Sequence, residues 1–161
     1  LLFMASEELR PAQSTLGVDS HVDSSVLPRM SDLSFFSKSA DGGRVENKDV
    51  FMFAYAVGVH HDMAIAPSSK VSGGYLRTTY FSDKQNVLMR AVHYGQSDFT
   101  DSDSLRDQHA TYELAEQYAN GGFQIIEGDL DQNMESEELA NSYIQEMDKL
   151  YEQYTGKAID A

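Results

Sequence analysis

The feature that most constrains this chain is an unbroken apolar run, Val50-Phe51-Met52-Phe53-Ala54-Tyr55-Ala56-Val57, set between Asn47 and Gly58. Asn is a common helix N-cap and Gly a common helix stop, so these two residues bound about three turns. A helix apolar on nearly every side has no face to offer to water and must lie at the centre of the fold. Phe51, Phe53, Ala54 and Val57 are therefore expected in the core, with a strand over Val50 to Val57 as the competing pattern. The rest of the chain has to cover this element.

Helical covering segments are legible downstream. Ser82 with Gln85 forms the reciprocal capping pair that satisfies the open amides of a helix start, and Val87, Leu88, Ala91, Val92 and Tyr94 follow at helical spacing up to Gly95. A third helix is expected over Leu105 to Asn120, with Leu105, Tyr112, Ala115 and Ala119 on one face and Leu114 and Tyr118 beside it. Gly121 is expected to close it in the left-handed conformation, before the apolar Phe123 to Ile126. A last helix over Ser136 to Tyr154 places Leu139, Tyr143, Met147, Leu150 and Tyr154 at three- and four-residue steps, behind an acidic first turn that suits the helix dipole.

Residues 1–46 carry weak periodicity. A short helix is expected over Glu7 to Leu16, a turn-like stretch over Gly17 to Pro28 and a loop over Ser37 to Arg44, with Leu33, Phe35 and Phe36 anchoring the segment to the core. The long connection from Val59 to Leu76 leads into Tyr75 to Phe81, which reads as extended because Thr and aromatics suit a pleated surface. Its only evident partner is part of the preceding loop, in a small hairpin. The expected fold is mainly α: a compact bundle of four or five helices, residues 47–161, with an irregular N-terminal arm, residues 1–46, and at most a short β-hairpin.

Charge narrows the function classes. Twelve Lys and Arg against 26 Asp and Glu give a net charge of −14. Phosphate backbones bind through clustered Lys and Arg, and anionic membranes repel such a surface, so direct DNA or membrane binding is not expected. The acidity fits either a basic protein partner or adaptation to high salt. The chain has no cysteine, which removes thiolate metal sites, thiol nucleophiles and disulfides. Leu1 to Ala5 is too short for the apolar part of a signal peptide and lacks a basic lead, while Met4 is the expected natural start. Cytoplasmic location is expected.

Candidate sites are few. His60-His61-Asp62 is compact, but adjacent side chains are expected to diverge, and a metal would need a further ligand from elsewhere. His109 and Glu113 are four apart on one helical face, and His21 and Asp23 form another short pair. Asp129, Asp131, Asn133 and Glu138 lack the glycine of a calcium loop, its place being held by Met134, and Asp98, Asp101 and Asp103 read as a solvated loop. No serine sits in a nucleophile elbow, and Gly42-Gly43 and Gly73-Gly74 lack the lysine of a phosphate loop. No catalytic, metal or cofactor site is therefore expected. Tyr143, Tyr151 and Tyr154 on the last helix, with His60 and His61, are the candidate partner-binding residues, because Tyr joins an apolar body to a polar tip.

Three motifs occur in order: Lys48-Asp49-Val50-Phe51-Met52-Phe53-Ala54-Tyr55-Ala56-Val57-Gly58, Asn86-Val87-Leu88-Met89-Arg90-Ala91-Val92 and Leu114-Ala115-Glu116-Gln117-Tyr118-Ala119-Asn120-Gly121-Gly122-Phe123. Over residues 45–126 they resemble the Dnd-associated protein 4 family, small proteins encoded beside DNA phosphorothioation genes. The family carries Arg and Lys after the first helix where this chain has His60-His61-Asp62, so the resemblance transfers no basic loop for nucleic acid, and it transfers no catalytic residues. It implies a non-enzymatic accessory or adaptor subunit of a phosphorothioation-linked defence or restriction system, working with a larger protein partner. A homo-oligomer is left open. The alternatives are a nucleic-acid binder with Arg77, Arg90 and Arg106 on one face, or a metal-dependent nuclease using His60, His61 and Asp62.

Overall fold

The computed structural model describes residues 9–37 and 45–156. In chain order the elements are β1 (Thr15–Leu16), a π-helical turn (Val22–Val26) running into α1 (Leu27–Ser31), α2 (Ser34–Ser37), α3 (Asn47–His60), β2 (Leu76–Arg77), a 3-10 turn (Thr78–Tyr80), α4 (Asp83–Gly95), a second 3-10 turn (Ser102–Arg106), α5 (Gln108–Leu130) and α6 (Ser136–Thr155). The architecture is mainly α, with one small antiparallel sheet. Among the described residues, no helix is long and apolar enough to cross a membrane.

The apolar run forms the central helix α3, whose main neighbour is α5. Phe51, Ala54 and Tyr55 are buried, while Phe53 and Val57 are half-buried at the edge facing α6. Its start differs by one residue from expectation: Glu46 is the N-cap, in a reciprocal pair with Asp49. Its end differs more. Gly58 lies inside the helix, which continues to His60. A Cβ on Gly58 would meet the Tyr118 carbonyl of α5, and one on Gly122 would meet the Ala54 carbonyl of α3. The two backbones touch at this crossing, and only glycine leaves room for it.

The same crossing overturns the expected break at Gly121. The helix α5 runs unbroken through Gly121 and Gly122 to Leu130, and neither glycine has positive φ. A Cβ on Gly121 would meet the Met63 carbonyl. The glycine pair therefore serves close approach on a buried face, which outweighs the roughly 1 kcal/mol that Gly costs in a helix interior. The rest of the motif is fastening too. Glu116, 4 % exposed, accepts from the Gly17 amide at 2.8 Å and from Lys70 Nζ at 3.0 Å. The Tyr118 ring meets Tyr55 edge-on, and Asn120 Nδ2 donates to the Ile65 carbonyl at 2.9 Å.

Strand β2 pairs with β1, not with the preceding loop: Thr15 faces Arg77 and Leu16 faces Leu76, antiparallel. The expected local hairpin is thus replaced by a long-range pairing. It extends past the strands, since the amides of Ser20, Val71, Tyr75 and Thr78 bond to the carbonyls of Ser69, Val18, Leu16 and Ser14. The described part of the expected Glu7–Leu16 helix, from Leu9 on, is accordingly non-helical. Extended backbone there satisfies the loop that would otherwise lack partners. Asp19 continues this seam. The His21 amide and the Ser68 amide and hydroxyl donate to its carboxylate and hold it below the usual carboxylate range.

The stretch read as turn-like, Gly17 to Pro28, is helical from its middle onward. Val22, Val26 and Met30 recur every four residues, and all three are buried. That spacing places one face of the helical stretch in the core, with Pro28 accommodated in the first turn of α1. Phe36 reaches Phe53 with ring centroids 5.1 Å apart and Phe35 reaches Tyr143 at 6.4 Å, so both anchor as expected, and Leu33 is half-buried. Of the expected 37–44 loop, Ser37 ends α2 and the remainder lies outside the described residues. The capping pair of Ser82 and Gln85 is present, with bonds of 2.9 and 3.2 Å.

Candidate functional site

Helix α6 follows the core with its first half only. Leu139 and Tyr143 are buried, whereas beyond Tyr143 every residue is half-buried or exposed. Tyr143 sits in an aromatic cluster, 5.2 Å from the Phe53 ring, and its hydroxyl donates to Asp129 Oδ2 at 2.9 Å. Burial, and next the Asp129 carboxylate it bonds to, push the phenol above its ordinary range. It is a neutral donor that ties α6 to α5, and it faces inward.

Between α3, α5 and α6 lies an apolar groove of about 120 Å³, lined by Phe53, Val57, Ile125, Met147 and Leu150 among others. Small-molecule sites usually enclose about 300–1,000 Å³. This one is the size of a side chain. His60, His61 and Glu146 belong to the same lining and are partly exposed. His60 ends α3, and His61 is the residue that caps it. The expected divergence of the two imidazoles does not occur: their centroids are 4.8 Å apart. His60 Nε2 is 3.0 Å and His61 Nε2 3.4 Å from the same oxygen, Glu146 Oε1. The structure does not bring Asp62 into this group. With φ of 50° it turns its carboxylate to the Tyr118 hydroxyl, 3.4 Å away. Glu146 escaped sequence reasoning, because the apolar stripe Leu139, Tyr143, Met147, Leu150 runs past it unbroken and it reads as one more acidic residue of the helix.

The remaining titratable candidates lie apart from this group. His109 Nε2 is 3.7 Å from Glu113, and its Nδ1 is 3.0 Å from the Pro11 carbonyl. His21 meets Glu127 at 2.7 Å and not Asp23, while Asp131 pairs with Arg29 at 2.7 Å. Asp129 is taken by Tyr143.

A second, outer stripe runs along α6, sharing Met147 with the lining of the groove. Ile144, Met147, Tyr151 and Tyr154 are 49, 54, 50 and 80 % exposed, and they follow at steps of three, four and three residues. That is the spacing of a helix seam that packs on another helix. Around it α6 holds five carboxylates against the single Lys149. Tyr151 and Tyr154 thus stand on the surface, and of this stripe Met147 lines the groove together with His60, His61 and Glu146.

No curated protein and no solved structure matches the chain. A family match runs from residue 36 to 159, and so takes in the α3–α5 glycine crossing, the buried fastening motif and the whole of α6. Covering most of the 161 residues, it shows that the chain belongs to the family of DNA sulphur modification system-associated protein 4.

Proposed function

We propose that this protein is a non-enzymatic accessory or adaptor subunit of a phosphorothioation-linked defence or restriction system in the cytoplasm, acting through contact with a larger protein partner. The observation that carries this reading is the outer stripe of α6. Four large apolar side chains at seam spacing stay in water on an otherwise strongly acidic chain, and contiguous exposed apolar surface marks interaction sites. The family match supplies the link to DNA sulphur modification. The partner surface that fits is a helical groove with a basic rim, since an amphipathic helix docks through i, i+3, i+7 anchors and its rim charges steer encounter.

Co-expression with the neighbouring genes tests it. The chain should elute in a complex with a larger protein encoded there. Tyr151→Ala combined with Tyr154→Ala should release it without lowering its melting temperature, because neither ring is buried. A monodisperse isolated chain from that co-expression, or a complex indifferent to both substitutions, would overturn the adaptor reading.

A further inference from the structure

We infer that His60, His61 and Glu146 form a binding site for one divalent transition-metal ion of the zinc class, which fastens α6 to the end of α3. Two observations carry this. The first is convergence: two imidazole nitrogens and one carboxylate oxygen, from elements remote in sequence, lie within 4.8 Å of one another. A tetrahedral ion bonded at about 2.0–2.1 Å holds its ligand atoms roughly 3.3 Å apart. The distances to Glu146 Oε1, 3.0 and 3.4 Å, bracket that edge. The edge between the two imidazole nitrogens is bounded only by 4.8 Å, so an ion would draw these rings together by rotating their side chains.

The second observation is mechanical. Past Tyr143, α6 has no buried residue. Glu146 is the first side chain beyond that point to make a polar contact with α3, and an ion there would hold the part of α6 that packing does not. Two nitrogen donors select zinc, cobalt or nickel over calcium or magnesium, which prefer oxygen. The side chains are 37, 43 and 41 % exposed, so solvent reaches the site and supplies the fourth ligand. The ion would sit on the lining of the apolar groove, which includes Met147 of the outer stripe. Such an ion would hold α6 with or without a partner protein on the outer stripe.

The full chain without a histidine tag, dialysed against zinc, should retain one ion by elemental analysis. Cobalt(II) should give the visible absorption of a four-coordinate site, and zinc should raise the melting temperature, as any ligand of the folded state does. His60→Ala, His61→Ala and Glu146→Gln should each weaken binding by at least about tenfold, the lower bound set by losing even a supporting group. Each should also abolish the zinc-dependent rise in melting temperature. His109→Ala, on a separate histidine–carboxylate pair, should change neither. All three cluster positions are partly exposed, so circular dichroism without metal should show folded variants. Absence of a stoichiometric ion in the parent chain would overturn the site. So would binding that survives loss of Glu146, or that His109→Ala abolishes equally.

Discussion

Glu116 shows how one residue can be charged, buried and structural at once. It lies on the buried face of α5 and takes two donors, the Gly17 amide from the N-terminal segment and Lys70 from the long connection. A buried donor that loses its acceptor costs about 1–3 kcal/mol. Glu116→Leu should therefore lower stability by that amount in urea denaturation. Lys70→Met should destabilise too, by about 1–3 kcal/mol, because it leaves the buried Glu116 carboxylate without its counter-charge although half of the lysine itself stands in water. A Lys70→Met variant as stable as the parent would show that the Gly17 amide alone satisfies Glu116. The same logic separates the tyrosines. Tyr143 has a buried ring and a carboxylate partner, while Tyr154 is 80 % exposed, so one residue type holds the fold at one end of α6 and is available at the other.

At the scale of elements, α5 contains a test of its own packing. Gly122 and Gly128 are both interior to the helix. Intrinsic propensity favours Ala over Gly by about 0.5–1 kcal/mol at each. A Cβ at Gly128 would meet nothing within 4 Å, but one at Gly122 would strike the Ala54 carbonyl and lie 3.0 Å from the Gly58 amide. Gly128→Ala should thus stabilise by roughly 0.5–1 kcal/mol, whereas Gly122→Ala should destabilise by about 1–3 kcal/mol or more, as overpacking does. Thermal denaturation of the pair reads the sign. Stabilisation by both would mean that α3 and α5 do not touch at their backbones. The expected helix break at Gly121 failed for this reason: sequence shows that glycine is present, and only the neighbouring helix shows whether its backbone freedom or its small size is in use.

For the whole molecule, charge is the dominant property. At −14, few counterions can be released from DNA on binding, so affinity for duplex lacks its main driving force. A gel-shift titration with unmodified duplex at moderate salt should give no complex at roughly micromolar protein, the tight end of ordinary non-specific binding. A micromolar shift would favour the surface of Arg77, Arg90 and Arg106, of which Arg90 already bonds to Gln108 at 2.7 Å. Absence of a complex would support the proposed role, in which a partner protein touches DNA in this chain's place.

What the sequence determined by itself was the set of long helices and the sign of the surface. The apolar run of α3, the Ser82 and Gln85 capping pair of α4 and the stripe on α6 are each written within a few neighbouring residues, because helix formation depends on local period and local caps. Val22, Val26 and Met30 carried the same kind of signal, masked by the polar residues between them. Tertiary structure alone decided which segment pairs with β2, where the helix motif around Glu116 sends its bonds, and which carboxylate meets His60 and His61. Gly17 and Glu116 are 99 positions apart, and no local pattern reports on contacts of that range. They arise when α5 packs across α3 and α6 folds back over both, bringing together groups that chain order keeps apart.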